Sequence, residues 1–371
     1  MNGNIPKDGW DIVVAVHDDL EPCVEGFDDI IAGNFEKYYP DLYGALHLNE
    51  GIQNFKLSTL SIIGKKLYDK IGYLNHPSYK NLYSDNEFTS VLQRAGLLMY
   101  LPIKVIEHKW DEINDGLRRN TESDYATDKQ NYINRKSEME KQAASLKLPI
   151  NKIGLVLTCF NRPEFLEQTL KSLEQSIIPS NLNIMIIDDS STDEKTLHLI
   201  DNFKLKSIKM YNAKNKGVYE CLKQGWDYYF NAGYDVLMNL DSDVIIRPNW
   251  LEKVLELENK FPDYVISGFN CNTSHPCTSK FDNFYTKKSI GGLNLCFNRT
   301  LYPAIRQTLY SLSWDWEMSE IMEIASKIFI VTRPSVIQHN PEANGVRNYG
   351  INNPDGKGEF DVAFDFCNWK K

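Results

Sequence analysis

Several features are scarce or missing in this chain of 371 residues, and each absence excludes a class of protein. The seven cysteines include no C-x-x-C pair, so neither a disulfide framework nor a zinc site is indicated. No apolar run is long enough to span a bilayer, and the N-terminus lacks the apolar segment of a signal peptide. The net charge of -9 argues against nucleic acid as the main partner. We therefore expect a soluble, cytoplasmic protein without a transmembrane segment.

The remaining composition is that of an ordinary globular protein, with 42% apolar and 25% charged residues. The length allows two domains, or one large domain with an appendage. Aromatic residues reach 12%, which suits a protein with sugar sites but equally suits a protein that uses these rings in its core.

The most informative stretch is Tyr234–Trp250. Val236–Met238 is an apolar run that predicts a buried strand of a parallel sheet, and the strand ends in Asp241-Ser242-Asp243. Ligands of open α/β sheets bind beyond the carboxyl ends of the strands, so we expect these acids in a ligand crevice. Two anionic oxygen ligands suit Mg²⁺ or Mn²⁺ bridging a phosphate. Taken alone, the triplet also fits an ordinary turn.

The chain also contains an internal repeat. Residues 10–19 read as an apolar strand ending in acids, as residues 234–243 do. Further matches follow in the same order: His17–Asp19 with Asp241–Asp243, Tyr39–Asp41 with Phe261–Asp263, Asp85–Glu87 with Asp315–Glu317, Val105–His108 with Val336–His339, and Gly116–Arg118 with Gly345–Arg347. Chance hardly supplies five matches in one order, so we interpret residues 10–137 and 234–371 as two copies of one unit.

The segment between the copies has two parts. Tyr125–Leu148 is polar and rich in Lys, Glu, Gln and Ala, which predicts an exposed helix leading into a linker. From Ile153 onward, apolar strands near 153–157, 184–187 and 208–211 alternate with amphipathic helices. This alternation predicts an α/β fold with a parallel sheet and crossover helices.

Four polar groups follow these strands in order: Thr158–Pro163, Asp188–Asp193, Asn215–Gly217 and Asp241–Asp243. Together they resemble family 2 glycosyltransferases with the GT-A fold, whose members show a T-x-(Y/F)-N-R-P start, a DDSSTD turn, an N-x-G and a D-x-D. The resemblance covers residues 152–371 and implies a Rossmann-like, mainly parallel sheet flanked by helices. A nucleotidyltransferase would be expected to carry a glycine-rich, basic phosphate loop after the first strand, and TCFNRPEF is not one.

The resemblance implies a nucleotide-sugar donor, UDP-linked, and Mn²⁺ or Mg²⁺. Thr158 and Asp189 match positions that contact the nucleobase of the donor, although both also fit as strand-end caps. Asp241 and Asp243 match the ribose- and metal-binding acids, with Asp243 the more direct ligand, and His339 matches a histidine that completes the metal site. Lys216 matches a diphosphate contact and equally fits a solvated surface lysine. The full set expected at the donor is Thr158, Asn161, Arg162, Asp189, Asn215, Lys216, Gly217, Asp241 and Ser242.

On the acceptor side, transfer with inversion needs a carboxylate that takes the proton of the attacking hydroxyl. In the family this base lies at the N-terminus of a helix after the acceptor loop, which Asp315 in WDWEMSEIMEIA matches. Glu317 is close enough to compete for the role. Trp314 and Trp316 either form a platform for a sugar ring or belong to the core, and residues 291–294 match the loop beneath the acceptor. The resemblance implies a hexosyl- or N-acetylhexosaminyltransferase acting on a glycan.

The first copy lacks the base-binding half of the family. We predict a partial, degenerate copy at residues 1–120, a helical linker at 121–150 and a complete GT-A domain at 151–371. Three interpretations of the first copy stay open: it docks on the second, it mediates assembly such as a homo-oligomer, or another polypeptide completes it. The alternative function is a non-catalytic carbohydrate-binding or assembly protein derived from transferase copies.

Overall fold

The computed structural model describes residues 5–109, 117–271 and 275–340, with 117–123 described by their backbone alone. The chain forms two compact units, a first unit of residues 1–149 and a second unit of residues 150–371. Within the described ranges, no helix combines the length and the apolar character needed to cross a bilayer. The predicted match of Gly116–Arg118 with Gly345–Arg347 lies outside the residues whose side chains are described.

The first unit is built on a small mixed sheet. Its strands are β1 (Ile12–Ala15), β2 (Leu20–Pro22), β3 (Ala45–Leu48), β4 (Ser61–Gly64), β5 (Leu98–Leu101) and β6 (Ile106–His108). Its helices are α1 (Phe27–Tyr38), α2 (Lys65–Ile71), α3 (Ser84–Ala95) and α4 (Leu117–Leu146). The sheet order is β1-β4-β3-β5, in which only the β3–β5 pairing is parallel. A separate ladder joins β2 and β6.

Helix α4 differs from the exposed linker that its composition predicts. Met139, Ala143 and Leu146 are buried in the hydrophobic core of the first unit. Their spacing of four and three residues forms a narrow apolar stripe on one face of an otherwise polar helix. The helix is therefore an integral part of the first unit. The rest of the predicted domain organisation stays a prediction.

Polar contacts attach the same helix to the first unit. Asp128 is fully buried, and its carboxylate accepts hydrogen bonds from the backbone N–H groups of residues 80–82 at 2.9 to 3.2 Å. Arg135 forms a bidentate pair with the buried Glu87, with both N···O distances at 2.8 Å. Both contacts join α4 to residues at or near α3. They stabilise this packing because they satisfy polar groups that would otherwise be buried without a partner.

The second unit contains a larger mixed sheet with helices packed against it. Its strands are β7 (Ile153–Cys159), β8 (Leu182–Asp188), β9 (Ser207–Tyr211), β10 (Val236–Asp241), β11 (Val244–Ile246), β12 (Val265–Ser267), β13 (Cys277–Lys280), β14 (Phe284–Lys287), β15 (Cys296–Asn298), β16 (Phe329–Thr332) and β17 (Ile337–His339). Its helices are α5 (Pro163–Glu174), α6 (Glu194–Asp201), α7 (Val218–Asn231), α8 (Trp250–Lys260), α9 (Tyr302–Arg306) and α10 (Trp314–Ile324). The sheet order is β13-β14-β16-β12-β15-β10-β7-β8-β9, and the predicted α/β class is confirmed.

The functional edge of this sheet follows from its strand order. Strands β10, β7, β8 and β9 are parallel, and the chain passes from β7 to β8 on one side but places β10 on the other. Such a reversal leaves a crevice at the carboxyl ends of the strands. The pairing register puts Thr158 beside Asp241 and Cys159 beside Asp188 at that edge. The predicted motif turns therefore converge in space.

The two units share one strand arrangement. Strands β10-β15-β12-β16 have the same order, and the same direction at each pairing, as β1-β4-β3-β5. The β11–β17 ladder corresponds to β2–β6. Its last backbone bond, from Asn340 N to Asp243 O at 2.8 Å, has a counterpart from Lys109 N to Asp19 O, also at 2.8 Å. The described strands of the two units thus pair in the same order and directions, and the interpretation of the two segments as copies of one unit stays a prediction.

Candidate active site

A cavity of about 470 Å³ opens at the carboxyl ends of β7, β8 and β10. Its walls are formed by Thr158, Cys159, Phe160, Arg162, Asp189, Asn215, Gly217, Val218, Cys221, Asp241, Ser242, Asp243, Leu312 and His339. Most residues predicted for the donor and the metal are among them, whereas Asn161, Lys216, Asp315 and Glu317 are not. The sequence analysis did not identify Val218 and Cys221, which form an apolar part of the cavity wall. Their spacing of three on the first turn of α7, which places them on one face of the helix, is the only sequence pattern that indicates them.

Asp189 organises one side of the cavity. Its Oδ1 accepts from Asn212 Nδ2 at 3.1 Å and from the Lys216 N–H at 2.9 Å, and its Oδ2 accepts from the Gly217 N–H at 2.8 Å. Gly217 has φ of 89°, a left-handed value that favours glycine at this turn into α7. The carboxylate therefore holds the loop of residues 212–217 against the end of β8.

Asn161 and Lys216 were predicted to contact the nucleotide-sugar, but neither lines the cavity. The Asn161 side-chain oxygen accepts from the N–H groups of Thr192 at 2.9 Å and Asp193 at 3.1 Å. It joins the turn after β7 to the turn after β8. Lys216 is exposed, and its Nζ lies 3.3 Å from Asn212 Oδ1. Its contribution in the structure is the backbone N–H that Asp189 accepts.

The Asp241 and Asp243 carboxyl groups have different electrostatic surroundings. Burial raises the pKa of Asp241 well above its usual range, and the negative charges of Asp243 and Asp315 raise it further, although Arg162 lowers it. Burial also raises the pKa of Asp243, but His339 and Arg162 together bring it below its usual value. Arg162 Nη2 lies 2.5 Å from Asp243 Oδ2, and His339 Nε2 lies 3.3 Å from Asp243 Oδ1. The pKa values of the two acids are thus shifted in opposite directions.

These side chains can be tested for their fit to a divalent cation. Asp241, Asp243 and His339 offer carboxylate oxygens and an imidazole nitrogen, which suit Mg²⁺ or Mn²⁺. Asp241 Oδ1 is buried without a hydrogen-bond partner, which leaves it available to a cation. Across residues 5–109, 117–271 and 275–340, however, no three His, Cys, Asp or Glu side chains are close enough together to form a complete metal site. The donor set would fit a divalent cation whose remaining ligands would come from a bound phosphate.

The two candidate bases at the start of α10 are held differently. Asp315 Oδ2 accepts from the Gly292 N–H at 3.2 Å, and its charge is near enough to affect the titration of Asp241. Glu317 Oε1 instead accepts from Ser311 Oγ at 2.5 Å. Neither side chain lines the cavity itself. Of the two, Asp315 is the one whose charge reaches the cavity acids.

The two tryptophans near these acids also separate. Trp314 is 4% exposed and packs against Trp226, with ring centroids 6.0 Å apart. It fills the space beside Gly292, where a Cβ atom would come within 2.3 Å of the indole ring. Trp316 is 51% exposed. Trp314 therefore belongs to the core, and only Trp316 presents its ring to solvent.

Residues 155–286 match the sequence profile of Glycosyl transferase family 2. The resemblance inferred from the motifs is confirmed over this segment, which contains all four motif groups from the strand ends. The match ends before Asp315 and His339, whose roles stay predictions.

Individual proteins give similar but partial matches. An uncharacterized glycosyltransferase of Haemophilus influenzae is 30% identical over 105 residues, which are 28% of this chain and 31% of the relative. A dolichol-phosphate mannosyltransferase of Pyrococcus furiosus is 23% identical over 225 residues, which are 57% and 61% of the two chains. The crystal structure of GalNAc-T7 with UDP, GalNAc and Mn²⁺ aligns with a TM-score of 0.42 and 13% identity, over 51% of this chain and 44% of that one. The chain spans less than two thirds of the length of these relatives.

Proposed function

We propose that the second unit is a metal-dependent glycosyltransferase that moves a sugar from a UDP-sugar to a glycan acceptor with inversion. The observation that carries the proposal is the convergence of Thr158, Asp189, Asp241 and Asp243 on one cavity at the sheet's reversal point. The family 2 match covers these four residues. Relatives named as sugar transferases, including the mannosyltransferase, support the same reaction class.

The nucleobase of the UDP-sugar is expected at the side of the cavity near Asp189. Asp189 Oδ2 accepts one hydrogen bond from the protein, from Gly217, so it retains capacity to accept another from a base N–H. The N3–H of uracil is such a donor. Phe160, Val218 and Cys221 supply an apolar wall for the flat face of the base.

The diphosphate is expected at Asp241, Asp243, His339 and Arg162. Asp241, Asp243 and His339 would hold the divalent cation. When bound, the cation stabilises the negative charge of the departing nucleoside diphosphate. Arg162 pairs with Asp243 and is partly exposed at the cavity wall. When Asp243 binds the divalent cation, the Arg162 guanidinium would be released to bind a diphosphate oxygen. The chain thus offers Arg162 as a second positive group for the leaving group.

Asp315 is proposed as the base that takes the proton of the acceptor hydroxyl. The Gly292 N–H donates to its Oδ2 and so fixes its orientation at the first turn of α10. Glu317 Oε1 accepts from Ser311 Oγ while its buried Oε2 has no hydrogen-bond partner, and we assign Glu317 a positioning role on the same turn. Inversion then requires one displacement, with the hydroxyl attacking the anomeric carbon opposite the leaving diphosphate.

The first unit is proposed to be a partial, degenerate copy of the second. His108 Nε2 lies 3.0 Å from Asp19 Oδ2, as His339 lies beside Asp243. Asp85 is near enough to His17 and His108 for both to lower its pKa, which burial raises overall. In the described residues the first unit has no counterpart of β7, β8 and β9, which carry the base-binding turns. We therefore expect it to bind no nucleotide.

A non-catalytic carbohydrate-binding protein is the second candidate. One observation favours it: the cavity acids of the described chain do not form a complete metal group, and Arg162 pairs with Asp243 instead. The two candidates differ in turnover. Release of UDP from a panel of UDP-hexoses and UDP-N-acetylhexosamines, measured with Mn²⁺ and with EDTA, tests the proposal.

Matched variants make this test specific. Asp243→Asn is expected to abolish Mn²⁺-dependent release, whereas Asp19→Asn, which changes the corresponding pair in the first unit, is expected to leave it unchanged. Full release in EDTA, or equal release by Asp243→Asn, would refute a metal-dependent reaction at this site.

A further inference from the structure

Trp316 is a half-exposed residue on the first turn of α10. The i and i+2 positions of a helix point to different sides, so α10 buries Trp314 in the core and directs Trp316 outward. A single exposed aromatic residue is ordinary. Its surroundings, however, fix the ring and place it beside the proposed base.

His275 packs against the indole. The two ring centroids are 5.1 Å apart and the ring planes are inclined by 34°. His275 itself is 5% exposed, and its Nδ1 lies 2.9 Å from Ser289 Oγ. Its carbonyl oxygen accepts from the Nζ of the fully buried Lys287 at 2.6 Å. The imidazole is therefore a fixed wall, and it holds one part of the indole while half of the Trp316 surface stays open.

The proposed base, Asp315, directly precedes Trp316 on α10. Asp315 Oδ1 accepts from the backbone N–H of Trp316 at 3.0 Å, while Oδ2 accepts from the backbone N–H of Gly292. Leu312, four residues before Trp316, is 52% exposed and lines the cavity. Exposed apolar side chains thus flank Asp315 on both sides in the sequence, one of them at the cavity wall.

We propose that Trp316, supported by His275, binds the sugar ring of the acceptor by stacking. The chemical class is a pyranose that presents an apolar C–H face, as β-glucosides, β-galactosides and N-acetyl-β-glucosaminides do. This inference rests on the proposed function, because it places the acceptor hydroxyl beside Asp315. Stacking contacts with aromatic rings change affinity by about 3- to 10-fold.

The test uses NMR of the full chain with ¹⁵N-labelled tryptophan, saturated with UDP and Mg²⁺. The indole signal of Trp316 is identified by its loss in Trp316→Phe. Titration with the methyl β-glycosides of glucose, galactose and N-acetylglucosamine is expected to shift this signal with at least one of them. Trp316→Ala should weaken binding of that glycoside by about 3- to 10-fold, and Trp316→Phe should retain most of it.

A matched control is Tyr228→Ala on α7, since Tyr228 is 50% exposed and does not line the cavity. It should bind the glycoside as the unchanged chain does. UDP binding, measured first by calorimetry, tests the proposed function separately, and its absence overturns both proposals. If UDP binds but no glycoside shifts the Trp316 signal, or if Trp316→Ala binds as well as the unchanged chain, the stacking proposal alone is wrong.

Discussion

Replacing Asp189 by Asn tests whether Asp189 creates the nucleotide site, through the loop it holds and through its own contact with the nucleobase. The carboxylate accepts three N–H groups, from Asn212, Lys216 and Gly217. An amide offers a single acceptor oxygen, so at least one of these donors must face the NH₂ group of the new side chain. Losing one hydrogen bond to a charged acceptor costs about 1.5–3 kcal/mol.

That cost converts directly into an expected affinity. If Asp189 creates the nucleotide site in this way, Asp189→Asn should raise the Kd for UDP by about 10- to 150-fold. Calorimetric titration of UDP at saturating Mn²⁺ measures the change. The folded state of the variant is checked by its thermal unfolding, because a locally disordered loop should leave the sheet intact.

The control for this variant is Asp263→Asn. Asp263 is buried and accepts from Lys327 Nζ at 2.9 Å, in the same unit but away from the cavity lining. We expect it to lower thermal stability while the Kd for UDP stays within a factor of about two. The reasoning fails if Asp189→Asn is folded and binds UDP as tightly as the unchanged chain does.

Three further predictions follow from the structure. Asp315→Asn should keep UDP affinity and cut turnover by about 10²–10⁴, whereas Glu317→Gln should lose less; steady-state kinetics that reverse this order would exchange the two roles. Calorimetry should find one UDP site per chain, with Asp19→Ala unchanged, and two sites would contradict the assignment of the first unit. Burial raises the pKa of Asp128, but its three backbone N–H donors bring it below the usual value, so this carboxylate stabilises the fold above about pH 4 and that stability is lost as the pH falls further. Asp128→Asn should cost about 1–3 kcal/mol at pH 7 and less at pH 3 by urea unfolding, and an equal cost at both pH values would show that the charge is not responsible.

Much of the second unit could be predicted because its information is local in sequence. The strands β7, β8 and β10 are apolar runs that end in turn-forming residues, and the carboxyl ends of parallel strands must share one edge of the sheet. This geometry brings Thr158, Asp189 and Asp241 together without knowledge of any side-chain contact. The α/β class and most of the cavity lining follow from it.

Other features depend on contacts between distant residues. The pairing of Arg162 with Asp243 joins positions 81 residues apart, and no local pattern indicates it. Leu312 reaches the cavity through the path of the chain before α10, which has no sequence signal. The place of helix α4 in the first unit is hard to predict from sequence, because a few buried residues among many polar ones give a weak periodic pattern.

The central claim is that the cavity breaks the bond between a nucleotide and a sugar. The most direct measurement is proton NMR of UDP-hexoses and UDP-N-acetylhexosamines incubated with the chain, Mg²⁺ and the methyl β-glycosides. The account predicts that the α-anomeric signal of at least one donor disappears, that UDP forms, and that a β-linked product appears only with Asp315 and Asp243 intact. Donors that bind and stay intact would support the non-catalytic alternative, and an α-linked product would contradict the single displacement.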